Sequence, residues 1–191
     1  MEGKQIFVSH SQHDKEMVAS FDRVFARTGV KSVCMEFEKM SLPEWLEIKT
    51  ALRESEAVFL LLGQNVKRSI YTQNWIAFEV GLSCAFNKRV WVFEHVASTV
   101  DFPIPYVTDY MLYDNLDNPR CFNYIRQIID GHGQNKYIIR EGTPIVEIPK
   151  GKSVECPHCH SKFALHYTPT SILHLVKTTV ICPLCRQPLR I

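Results

Sequence analysis

Two cysteine pairs, "CPHC" at 156–159 and "CPLC" at 182–185, are separated by 22 residues. A CxxC turn presents two thiolates to one ion, and two such turns complete a tetrahedron. Cys156, Cys159, Cys182 and Cys185 therefore read as a four-cysteine zinc site. Four thiolates leave no open coordination position, so the Zn2+ they imply is structural. A redox reading is weaker, because both pairs occur together and outside any βα pattern. His158, His160, His166 and His174 in the same segment read as surface histidines. Cys34, Cys84 and Cys121 read as small core residues.

A second chemical candidate is a single acid. "QNWIAFEVGLSCAF", residues 73–86, sets Glu79 in an otherwise apolar and small-residue run. The run is too long for an ordinary strand and lacks period-2 alternation, which predicts a helix. Apolar on nearly every side, that helix is expected to be buried. One turn away from Glu79 stand Trp75, Ile76, Leu82 and Ser83, none of them a cation. A buried carboxylate without a partner is costly and has its pKa raised. Either a cation reaches Glu79 from elsewhere in the fold, or the acid faces a cleft and has a task.

The elements that must position these groups alternate. Strand signals fall at 5–9, 31–37, 57–63, 89–94 and 107–113. Helix signals fall behind an S-x-x-D pair (Ser11, Asp14), behind Ser41 and Glu44, over 70–87 and around 117–130. The continuous apolar run "AVFLLLG" marks a central parallel strand. Together these predict an α/β fold, a flavodoxin-like five-stranded parallel sheet, followed by a small β-rich zinc ribbon. The expected boundaries are 1–130 for the α/β domain, 131–144 for a glycine-rich linker and 145–191 for the ribbon. About 45 residues hold too little core to fold alone, so metal would supply the ribbon's stability.

Composition narrows the setting. The chain has 191 residues, 46% hydrophobic and 22% charged, as in ordinary globular proteins. No apolar run reaches the ~18 residues of a membrane span, and "MEGKQIFVSHSQHDK" shows no secretory pattern. An odd count of seven cysteines, four of them in metal spacing, predicts a reducing, cytoplasmic setting and no membrane. Residues 145–191 carry six Lys and Arg against Glu147 and Glu155, whereas the remainder is net negative. That asymmetry points to an anionic partner for the tail or to a solvated basic face.

Three stretches carry a resemblance to the Toll/interleukin receptor (TIR) domain family, over about residues 4–130: "IFVSHSQHD" (6–14), "VCMEFEKMSLPEW" (33–45) and "WIAFE" (75–79). The last matches the W-x-x-x-E arrangement of the family's enzymatic, NAD-cleaving branch. The resemblance implies that Glu79 is the catalytic carboxylate for cleaving NAD+ at the nicotinamide–ribose bond, with ADP-ribose or a cyclised form as product. It also implies substrate contacts from Ser9, His10, Ser11, Glu36, Glu38, Lys39 and Trp75, self-association through the domain, and a prokaryotic immune or stress-signalling role. The loop after the first strand lacks the arginines that some family enzymes carry there. Two other readings stand beside this one. One is a non-enzymatic TIR scaffold whose ribbon docks a protein or nucleic acid. The other is a nucleoside deoxyribosyltransferase-like enzyme, which would prefer nucleosides to NAD+.

Overall fold

The computed structural model describes residues 4–34, 45–134, 146–168 and 180–189. The apolar run Ala57–Leu62 forms β3 and is buried at every position, which requires cover on both faces of the sheet. Around it lie β1 (Gln5–His10), α1 (Lys15–Phe25), β2 (Lys31–Cys34), α2 (Trp45–Glu54), α3 (Ile70–Ala85), β4 (Arg89–His95), β5 (Asp109–Tyr113) and α4 (Pro119–Gly133). The strands β2-β1-β3-β4-β5 are parallel throughout, in the flavodoxin-like order.

The sheet does not stop at five strands. β6 (Lys152–Glu155) and β7 (Lys162–Tyr167), from the cysteine-bearing segment, extend it to β2-β1-β3-β4-β5-β7-β6. β7 runs parallel to β5, and β6 is antiparallel at the edge. A separate two-stranded pair, β8 (Val180–Ile181) with β9 (Pro188–Leu189), brackets the second cysteine turn.

Side-chain alternation sorts the core into layers. Ile6, Val8, Phe59, Leu61 and Phe93 face one way and pack on Phe21, Val24 and Phe25 of α1 and on Ile125, Ile128 and Ile129 of α4. On the other face, Phe7, Val58 and Val90 meet Ile48 and Leu52 of α2. Leu60, Leu62 and Val92 meet Ile76 and Val80 of α3 in a cluster that also holds Cys156, Phe163, Leu165, Val180, Cys182 and Leu189. The β4–β5 connection contains no helix. The cysteine segment occupies that side of the sheet instead, where fully burying each Leu or Phe stabilises by roughly 1.5–3 kcal/mol.

Several expectations need correction. The Ser11–Asp14 capping pair does not form. Asp14 itself holds the N-cap position without a side-chain cap, and the Ser11 hydroxyl accepts from His13 N at 3.3 Å in the turn before the helix. α3 is not buried all round, because a helix lying on one sheet face hides one stripe: Ile76, Glu79, Val80 and Ser83 are buried, while Ile70, Tyr71 and Phe78 are exposed. Cys121 is buried as expected, but Cys34 and Cys84 are exposed. His158 and His160 are exposed, whereas His166 is buried within β7. Ser41, Glu44 and His174 lie outside the described residues.

Two buried ionic joints fasten the tail to the sheet. Asp109 accepts a two-pronged hydrogen bond from Arg89, at 2.5 and 2.7 Å, and pairs with His166 Nε2 at 2.9 Å. Burial by itself would raise the Asp109 carboxyl, but these bonds and that of Thr108 outweigh it and hold the pKa below its ordinary value. In the second joint, Glu94 is fully buried. It takes Arg186 Nη2 at 2.8 Å, the Tyr110 hydroxyl and the backbone N–H of Val100. Arg186→Met should therefore strand a buried carboxylate and destabilise by about 3–5 kcal/mol, whereas adding Glu94→Gln to it should recover most of the loss. Urea unfolding of both variants reads this; equal losses would mean that packing, not charge, makes the joint.

Candidate functional site

Glu79 sits on the face of α3 that meets β1. It is buried, and its Oε2 accepts a hydrogen bond of 2.5 Å from the Ser9 hydroxyl. Its Oε1 is shielded from solvent and has no hydrogen-bond partner among the described residues. Ser83 spends its hydroxyl on the Glu79 carbonyl at 2.6 Å, so it does not serve the carboxylate. No salt bridge to Glu79 occurs among the described residues. Burial pushes the carboxyl up to about 8, with the Ser9 hydroxyl pulling the other way.

The folded-state pKa lies above the ordinary carboxylate value, so folding holds this proton and opposes its loss. Stability is greatest below the unfolded value of 4.5 and falls as pH rises toward about 8. The slope is roughly 1.4 kcal/mol per pH unit across that window. Glu79→Gln should remove the slope, so the variant gains on the parent between pH 5 and 8 in denaturant titrations. Parallel curves would mean that the carboxyl is not so perturbed.

The other predicted contacts divide. Ser9 is buried and bonded to Glu79, on the sheet face it shares with Phe7. His10 falls by alternation on the opposite face, with Ile6 and Val8; its Nδ1 is buried and lacks a hydrogen-bond partner among the described residues. Ser11 is buried in the turn after β1. Trp75 is half-buried, packs on the α2 layer and meets Phe78 edge-on at 5.5 Å. Glu36, Glu38 and Lys39 lie outside the described residues.

The four cysteines come together as their spacing predicts, with ligand atoms all within 4.8 Å of one another. Cys156 Sγ lies 3.6 Å from Cys185 Sγ, and Cys159 Sγ lies 3.9 Å from Cys182 Sγ. A tetrahedron with metal–sulfur bonds of ~2.3 Å has edges of roughly 3.8 Å, so the donor set fits a metal ion. The two turns repeat one geometry. His160 N donates to Cys156 O and Arg186 N to Cys182 O, both at 2.9 Å, and His160 and Arg186 adopt left-handed φ of 57° and 58°. Cys156 and Cys182 are buried while Cys159 and Cys185 are half-buried. The same Arg186 carries its guanidinium to Glu94, which links the second turn to the carboxyl end of β4.

Sequence reasoning missed Glu94, Asp109 and His166. Each sits in a strand where a lone polar residue gives no sign of its partner, and each partner is 20 or more positions distant or on another element. What these features define is an α/β protein with a doubly wound, largely parallel sheet, a four-cysteine cluster able to hold a metal, and a buried acid on α3. No family model matches the chain, and no curated protein matches it. No described helix is long and apolar enough to cross a membrane.

Proposed function

We propose that this chain cleaves NAD+ at the bond between nicotinamide and ribose, with Glu79 as the catalytic carboxylate. The observation that carries the reading is an acid buried on an otherwise apolar helix, held through one oxygen by Ser9 and with the other oxygen unpartnered among the described residues. Nicotinamide in NAD+ is already a cationic leaving group and needs no general acid. The reaction asks for a negative charge beside a ribose that becomes oxocarbenium-like, and a carboxylate in a low dielectric supplies it. Ser9 serves as a positioning residue, fixing Oε2 and leaving Oε1 as the oxygen without a protein partner among the described residues. The W-x-x-x-E spacing of Trp75 and Glu79, and the family resemblance it carries, favour NAD+ over free nucleosides.

The metal of the cysteine cluster is zinc in this reading, held by Cys156, Cys159, Cys182 and Cys185 in a structural capacity. The setting is a reducing one, such as the cytoplasm, and the role is immune or stress signalling. Self-association is supported by apolar side chains exposed on α2 and α3, which pack against each other: Trp45, Leu46, Tyr71 and Phe78.

The test is to incubate concentrated protein with NAD+ and separately with deoxynucleosides, beside Glu79→Gln, and to follow nicotinamide and free base by chromatography. Nicotinamide release by the parent alone supports the reading, and the adenine-containing product distinguishes hydrolysis from cyclisation. Turnover of deoxynucleosides alone points to the transferase reading. No turnover of either, even at concentrations that force association, points to a scaffold.

A further inference from the structure

A cleft of about 500 Å3 opens where β1, β3, β4 and β5 end, lined by the turn before α1 and the first turn of that helix, the segment after β3, and His95, Ser98 and Tyr113. In the order β2-β1-β3-β4-β5 the chain reverses direction across the sheet between β1 and β3, and open α/β sheets bind ligands beyond the carboxyl ends of strands at such a point. Neither Ser9 nor Glu79 lines this cleft.

Asp14 is the residue that asks for a ligand. It is nine-tenths buried at 9% exposure, and although it holds the N-cap position its side chain does not cap α1. It turns instead to the segment after β3. Its Oδ1 accepts from Asn65 Nδ2 at 2.6 Å and Asn65 N at 3.3 Å. The carboxyl lies so close on Gly63 that a Cβ there would fall 2.2 Å from its carbon. The carboxylate is thus fixed in place, and its Oδ2, shielded from solvent against Gly63, lacks a hydrogen-bond partner among the described residues. Three other polar side chains of the lining, Asn65, Gln64 and His95, are already engaged. Asn65 also donates to His13 O, and Gln64 donates to Ser98 O. His95 uses both ring nitrogens, one with Asp114 O and one accepting from Ala97 N.

What the cleft adds is a ring surface. His95 and Tyr113 meet edge-on at 5.5 Å, with Met17 and Leu62 also in the lining. The charged lining is Asp14 and Glu16 against Lys15, which gives no excess of cations for a polyphosphate. An unsatisfied carboxylate oxygen calls for hydroxyl donors, and the rings call for a flat apolar group. We propose that this cleft binds a nucleoside, its ribose diol on Asp14 and its base against Tyr113 and the ring of His95. The site is independent of Glu79.

The experiment titrates the full chain with adenosine and with 2′,3′-dideoxyadenosine, following the Asn65 side-chain amide and Tyr113 ring signals by NMR. Adenosine should shift both, and the dideoxy analogue should bind at least about tenfold more weakly, because it lacks the donors for Asp14. Asp14→Asn and Gly63→Ala should each reduce adenosine binding at least about tenfold. If either cleft variant does not fold, the comparison of the two nucleosides on the parent chain decides alone. Equal affinity for both, or no shift at millimolar adenosine, overturns the proposal. Loss of adenosine binding in Asp14→Asn with NAD+ cleavage intact would show the two sites to be separate.

Discussion

Stripping the metal from the four-cysteine cluster with a strong chelator should lower the melting temperature by roughly 8–16 °C. Loss of a structural metal is among the few changes whose cost reaches about 4 kcal/mol, and each kcal/mol moves the midpoint of a chain this size by about 2–4 °C. The effect should not stay local. Cys156 and Cys182 lie in the same apolar cluster as Val100, Ile104 and Tyr110, and Ile104 N donates to Pro183 O inside the second cysteine turn. Arg186, in the residue after that turn, supplies the cation of the fully buried Glu94. Without the ion, the turn loses the constraint that aims Arg186, and Glu94 loses its charge partner. Hydrogen exchange should accordingly quicken at the Val100 and Ile104 amides as well as around the cysteines. Cys182→Ser should reproduce both effects. Unchanged protection at Val100 in metal-free protein would show that the sheet holds its own loop and the cluster is an appendage.

The second large effect concerns Glu79→Gln, which keeps the shape of the side chain and removes its charge. Taking away one preorganised electrostatic group of this kind costs about 100- to 1,000-fold in turnover, so NAD+ cleavage should fall by that factor with little change in KM. The pH profile gives an independent check. The carboxyl of the free protein titrates at about 8 and the reaction needs it ionised, so kcat/KM should climb about tenfold per unit below that value and level off above it. A cationic nicotinamide ring bound beside it favours the ionised form, so the corresponding rise in kcat should lie at lower pH. Ser9→Ala removes the bond that favours the charged form and should shift the kcat/KM profile upward. A flat profile from pH 5 to 9, with turnover intact in the Gln variant, would remove Glu79 from the chemistry.

Much of this molecule is legible in its residues. Local patterns are short-range physics: the apolar run 57–62 had to be a central strand, the alternation of strands and helices had to give a parallel sheet, and each CxxC turn had to present two thiols together. The absence of a cation within one turn of Glu79 was likewise readable, and the described residues bring none from elsewhere. What the pattern could not give was pairing at a distance. The capping pair at Ser11 and Asp14 failed because the Asp14 carboxylate finds Asn65 and the open face of Gly63, about fifty positions away. His166 read as a surface residue along with the other histidines of the cysteine segment; Asp109, Tyr124 and the ring of Trp91 make it an interior one. The five-strand sheet grew to seven because the β4–β5 connection has no helix to cover it, and an apolar surface left open is covered by whatever the chain can bring. The sequence by itself determined the element types, the four cysteines that cluster and the odd acid on α3, since each depends on neighbours a few residues away. The tertiary structure alone decided which partners the buried carboxylates meet, Glu94 with Arg186 and Asp109 with Arg89 and the His166 ring. A charge in a low dielectric is stable only beside its counterpart, and where that counterpart comes from is a property of the packed fold.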